Sequence, residues 1–203
     1  MFLCHFTDLS NLLTILENKQ LKSNALTKNI NKGDGIYKNP NHFIYFCFCR
    51  ELFNAFNIYE FVFKTVYPSV ILYFTPSFLQ KKSFYLSSLF SADPTEEGSW
   101  TLENGRKYIK KSYPKETINI GRILKQFYIN NEFVFLEGQV AIRNTVSLLD
   151  NLVAIEFRNC NTSSVILSFI KKQFPTVEIK VTQSSHARDS LLVSKELQFI
   201  LNQ

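Results

Sequence analysis

The sequence predicts an α+β domain. Strand-forming runs rich in Phe, Ile, Val and Tyr are spread from one end of the chain to the other. Stretches with helical character stand among them at 9–18, 51–57, 162–173 and 189–201. No repeat, low-complexity tract or linker divides the 203 residues, so a single domain over 1–203 is expected.

The elements follow in order. Leu3 to Thr7 reads as a short strand in which Cys4 and Phe6 share one face and His5 and Thr7 the other. Asp8 or Ser10 can cap the helix that follows, whose apolar stripe is Leu12, Leu13, Ile15 and Leu16. Lys19 to Lys22 reads as the helix exit, and residues 27–41 as a polar loop longer than ordinary connections. Phe43 to Phe48 is apolar on both faces and therefore a central strand. Strands are expected at Glu60–Val66, Ser69–Phe74, Ser83–Phe90, Phe133–Ile142, Asn151–Phe157 and Val177–Val181, with a helical turn at 146–151.

Composition narrows the function classes. A hydrophobic content of 45% supports a real core, and 20 Phe with 9 Tyr make that core rich in rings. The net charge of +6 suits a polyanionic partner and equally suits an ordinary basic protein. Lys and Arg interleave with Tyr and Phe between 100 and 128, as in a surface that tracks a nucleic-acid backbone and stacks bases. A solvated face with rings turned inward would look the same. Cys4, Cys47, Cys49 and Cys160 lack metal-ligand spacing with His5, His42 and His186, so no metal is expected. Buried free thiols in a reducing cytoplasm are expected instead. No signal peptide or apolar run of membrane-spanning length is present, so no membrane partner is expected.

The residues that carry chemistry are few. His5 and Thr7 end a strand beside a helix start and make a candidate polar pocket; separately, His5 can be a core histidine and Thr7 a helix cap. Arg50 is a charge placed directly after a buried strand. Glu137 and Gln139 fall at i, i+2 on an otherwise apolar strand, where a carboxylate is costly unless used or paired.

Three places together resemble DarT-type ADP-ribosyltransferases, the toxins of toxin–antitoxin pairs that modify DNA. They are His5-Phe6-Thr7 with Asn11-Leu12 and Ile15-Leu16, the aromatic strand closing on Arg50, and the C-terminal order from Gln139 through the 177–181 strand. The resemblance implies an ADP-ribosyltransferase-like split mixed β-sheet core with flanking helices and a cleft for NAD as substrate. It implies transfer of ADP-ribose to a nucleobase of single-stranded DNA, in a toxin–antitoxin or phage-defence system, with an antitoxin protein as a further partner. By the same resemblance His5, Thr7 and Asn11 hold NAD, Arg50 is essential to binding and catalysis, and a glutamate of the later strand is catalytic.

That chemistry suits these residue types. Cleaving the nicotinamide–ribose bond builds oxocarbenium character, which a carboxylate stabilises while taking a proton from the acceptor. An arginine can clamp a pyrophosphate bidentately. No Gly-x-Gly-x-x-Gly is present, so NAD would not be held by a Rossmann fingerprint. Where the resemblance implies the catalytic glutamate, this chain has Gln139, which keeps the shape of glutamate but neither its charge nor its basicity. An engineered Glu→Gln change, a natural loss that leaves a binding module, and a charge supplied by Glu137 all remain open. A silent nucleic-acid-binding protein on the same fold and a transferase with a protein acceptor are the alternatives.

Overall fold

The computed structural model describes residues 2–27, 43–49, 51–53, 70–87, 98–101, 107–113, 139–158, 160 and 162–182. The loop at 28–41, Arg50, the strand at 60–66, Glu137 and the helix at 189–201 lie outside the described residues. The described chain runs through β1 (Phe2–Thr7), α1 (Leu9–Asn18), β2 (Gln20–Lys22), β3 (Phe43–Cys49), β4 (Val70–Phe74), β5 (Phe84–Ser87), β6 (Gly98–Thr101) and β7 (Lys107–Tyr113). Then come β8 (Gln139–Arg143), β9 (Thr145–Ser147), β10 (Leu152–Arg158), α2 (Ser164–Gln173) and β11 (Glu178–Thr182).

Nine of these strands form one sheet in the order β11-β10-β4-β1-β3-β8-β5-β7-β6. Among the described residues only β10 and β11 are parallel, joined through α2, because a parallel pair needs a crossover. The other described pairs are antiparallel, so the sheet is mixed. β3 lies in the interior of the order, as its two apolar faces predict.

Strand alternation splits the side chains between two faces. On one face Leu3, Phe46, Phe48, Leu72, Phe74, Ile155 and Phe157 meet Leu9, Leu12, Leu13 and Leu16 of α1 and Ile166 and Ile170 of α2. Each buried leucine of α1 contributes about 1.5–3 kcal/mol relative to exposure. On the other face Cys4, Cys49, Ile71, Tyr73 and Ala154 form a second cluster, with Phe2, Phe6, Leu52, Phe53 and Val153 packed against it. All four cysteines are free thiols, and three of them are buried. Burial, with the neighbouring Cys49 thiol, holds Cys4 well above its ordinary pKa.

The second face also carries a buried polar group. Glu156, on β10, is 1% exposed. Its Oε2 accepts a hydrogen bond from the Tyr73 hydroxyl at 2.6 Å, and its Oε1 accepts one from Thr182 at 3.3 Å. Arg158 Nη1 stands 3.6 Å from the same oxygen. Donors from β4 and β11 thus meet on a residue of the strand between them, which is how a buried carboxyl group is accommodated. Burial and the Glu156 contact push the Tyr73 phenol far above its usual range.

Several local expectations change. Asp8 occupies the N-cap of α1 with extended backbone, but its side chain makes no cap hydrogen bond, and Ser10 lies inside the helix. The helix exit at 20–22 is instead β2, paired with β9, and the helical turn expected at 146–151 begins as β9. Three-residue strands paired across more than a hundred positions leave no local periodicity to see. Trp100 lies in β6, and the rest of the described part of the basic, aromatic stretch is Thr101 of β6 and the strand β7. Of the helix expected at 51–57, residues 51–53 form a turn, and the rest lies outside the described residues. Among the described residues no helix is long and apolar enough to cross a membrane.

Tyr73→Phe leaves Glu156 Oε2 without its Tyr73 donor in a buried site. The variant is expected to lose about 1–3 kcal/mol of stability. Urea unfolding would show a lower midpoint with an unchanged slope.

Candidate functional site

β1 has two neighbours in the sheet and treats them differently. It pairs with β4 from Leu3 to Thr7. It pairs with β3 only from Phe2 to Cys4, opposite Cys49 to Cys47. Beyond Cys4 the ladder ends, while Phe43 to Cys47 goes on pairing with β8. The sheet is therefore split between the C-terminal half of β1 and the N-terminal half of β3. The open side lies where β1 hands over to α1.

His5 is the first residue past the last paired position, and its side chain spans the gap. Its Nδ1 lies 2.9 Å from the Tyr45 carbonyl oxygen on β3. A carbonyl can only accept, so Nδ1 carries the proton and donates. In the neutral ring Nε2 is then an acceptor. Burial pushes the His5 pKa below its ordinary value, and the Tyr45 carbonyl opposes this only in part, so the neutral ring is favoured. The ring also rests against Phe46, with centroids 5.7 Å apart.

Thr7 and Asn11 complete this wall. Thr7 is half-buried and pairs with Val70 at the end of β1. Asn11 is half-buried in the first turn of α1, its backbone N–H donating to Asp8 O at 3.0 Å. The three residues are thus brought to one end of β1 and the helix start beside the split.

The other candidates are placed by the backbone. Gln139 begins β8 opposite Cys47 of β3 on one side and Ser87 of β5 on the other. One register row crosses the whole sheet through Gly98, Lys110, Ser87, Gln139, Cys47, Cys4, Tyr73, Ala154 and Glu178. Gln139 is therefore two strands from His5, about 10 Å at ordinary strand spacing, in the adjoining row, that of Cys4, Tyr73 and Ala154 of the second cluster, and not in the row or on the face of His5. Lys110 of the basic stretch falls in the same row as Gln139. Cys49 ends β3 and donates its thiol to the Glu51 carbonyl at 2.7 Å, which fixes the chain on both sides of position 50.

Sequence reasoning missed two features, one at the split and one on the opposite face of the sheet. The Tyr45 carbonyl that sets the His5 tautomer has no side-chain signature. Glu156 did have one, since it is a lone carboxyl in the apolar run Leu152–Phe157, the same signal that singled out Glu137.

No protein-family model matches the chain, and no curated protein matches it. Among solved structures it is similar to Thermus sp. 2.9 DarT in complex with carba-NAD+, at a TM-score of 0.50 and 13% identity, over 90% of this chain and 95% of that one. It is also similar to Thermosipho africanus DarTG in complex with ADP-ribose, at 0.49 and 14% identity over 90% of this chain. Of that longer protein it spans 49%. A third match, at 0.47 and 14% identity over 90% of this chain and 93% of the other, is Thermus sp. 2.9 DarT in complex with ADP-ribosylated ssDNA. The Thermus match at 0.50 agrees with the split mixed sheet, and the chain has a DarT-like α+β fold.

Proposed function

We propose that residues 1–203 form one NAD-dependent ADP-ribosyltransferase domain whose acceptor is a base of single-stranded DNA. The observation that carries the reading is the split between β1 and β3, spanned by a neutral His5 whose Nδ1 is committed to β3 and whose Nε2 is thereby an acceptor. An acceptor nitrogen on the strand that ends in Thr7, with Asn11 in the first turn of the following helix, suits the hydroxyl and amide donors of a dinucleotide. His5, Thr7 and Asn11 would hold NAD, and Arg50 would engage its phosphates or steady the acceptor base. When bound, NAD supplies the ADP-ribosyl group and the nicotinamide that leaves.

Position 139 governs turnover. Glutamine fills the volume of a glutamate and can donate from its amide, but it cannot take a proton from the acceptor. The chain as it stands would therefore bind NAD and transfer poorly, with Glu137 the remaining acid near that position in sequence. The toxin role, the antitoxin partner, DNA binding and a cytoplasmic location belong to this same reading. A silent nucleic-acid-binding protein is favoured by Gln139 alone.

Two outcomes test the proposal. With labelled NAD and single-stranded oligonucleotides, Gln139→Glu is expected to raise label transfer by about 10²–10⁴-fold, the usual contribution of a general base. Absence of transfer from the Gln139→Glu variant to any DNA contradicts the DNA reading, and transfer to protein alone points to the other acceptor class.

The second concerns pH. A folded pKa below the unfolded value of about 6.5 means that the unfolded state binds more protons as the solution is acidified. The His5 contribution is then fully present above pH ~6.5 and falls away below it, by at most about 1.4 kcal/mol per pH unit. Urea unfolding of the wild type and His5→Gln should give a stability difference that narrows from pH 7.5 to 5.5. Parallel curves would show that His5 is not held neutral.

A further inference from the structure

The open half of β3 carries an aromatic patch on the sheet face away from α1 and α2. Phe43 and Tyr45 alternate there with Ile44 and Phe46, which belong to the main core. Ala141 of β8 is the register partner of both Tyr45 and Tyr85 of β5, and Arg143 is the partner of Phe43. Directly opposite residues share a face, so Phe43, Tyr45, Tyr85 and Arg143 stand together around one small residue. The Phe43 ring is 6% exposed. It meets Tyr85 edge to face with centroids 5.6 Å apart, and Tyr45 at 6.2 Å. The Arg143 guanidinium lies over the same ring, its Cζ 5.3 Å from the centroid. Tyr85 is half-buried and Arg143 exposed, so the cluster offers solvent a phenol and a guanidinium on a buried aromatic base. Among the described residues Arg143 has no acidic partner. A guanidinium stacked on a ring keeps its N–H donors for a phosphate.

The patch adjoins the split from the β3 side, where Phe43 to Phe46 pair with β8 and not with β1. It also shares the face of position 139. Gln139 and Ala141 are i, i+2 on β8, about 7 Å apart along the strand. His5 alternates with Cys4 and Phe6 of the second cluster and so belongs to the other face. We propose that Tyr85 and Arg143, seated on Phe43, form the surface that receives the single-stranded acceptor. A base stacks on the phenol, and a neighbouring phosphate meets the guanidinium. A strand suits this surface better than the body of NAD, because the surface lies toward position 139 and away from the face of His5. The inference rests on the acceptor proposed above, a base of single-stranded DNA.

The test is fluorescence anisotropy of a short labelled single-stranded oligonucleotide of mixed sequence, titrated with the full chain without NAD over a range of salt. Tyr85→Ala is expected to weaken binding by about five- to a hundredfold, the range of one lost base stack, and Tyr85→Phe to stay within about twofold of wild type. Arg143→Met should weaken binding and lower the slope of log affinity against log salt by about 0.7, the share of one phosphate contact on a single strand. Lys172→Met removes the same charge from an exposed position of α2, on the helix-covered side, and should leave that slope unchanged. Calorimetric affinity for NAD should be unchanged in Tyr85→Ala and Arg143→Met. The exposed Arg143 position keeps the test open if Tyr85→Ala unfolds. Wild-type oligonucleotide affinity in Tyr85→Ala and Arg143→Met overturns the surface alone. Equal falls in slope for Arg143→Met and Lys172→Met overturn it too, since binding would then follow net charge. Loss of NAD binding in the same variants gives the surface to the dinucleotide and overturns the assignment to the strand. A wild-type chain that binds no oligonucleotide overturns the acceptor reading and the surface with it.

Discussion

β1 and β3 stop pairing after Cys4 and Cys47, and the arrangement of the candidate site depends on that interruption. A sheet that zipped to its ends would place Phe46 directly opposite His5 and leave no gap. The interruption is tolerated because each strand keeps its other neighbour: β1 pairs with β4 to Thr7, and β3 pairs with β8 from Phe43. The large apolar side chains beneath, Phe46, Phe74 and Phe78, pack ring to ring and hold the two halves in one core. Within the gap one hydrogen bond, from His5 to the Tyr45 carbonyl, sets the imidazole's orientation and tautomer at once.

The two faces of the sheet divide the work. The helix-covered face supplies most of the hydrophobic core through α1 and α2. The opposite face is smaller and more specific: thiols, a phenol, a buried carboxyl group and the ring of Phe53 packed against Tyr73. Its polar groups are tied across β4, β10 and β11, so the parallel strand is held by side chains as well as by its ladder. The turn that leaves β3 docks on this face, at the end of the strand that is still paired with β1.

Much of this was legible in the sequence because periodicity reports burial. The His5/Thr7 alternation, the Leu stripe of α1 and the central character of β3 all follow from which side chains must avoid water. What was not legible depends on distant partners. β2 and β9 are three residues each and owe their conformation to one another. The basic stretch at 107–113 has charges that resemble a solvated surface, and its strand pairing with β5 and β6 is a property of the sheet. The candidate site was legible as residue types in order; the split beside His5 is a register property that no local pattern encodes.

The central claim is that His5 spans the split as a neutral imidazole protonated at Nδ1. Nitrogen-15 NMR of the histidine rings reads this directly. At pH 7 His5 is expected to show a protonated Nδ1 and an unprotonated Nε2, with the Nε2 signal moving when NAD is added. A His5 ring protonated at Nε2, or one that titrates near the ordinary histidine value of about 6.5, would contradict the account.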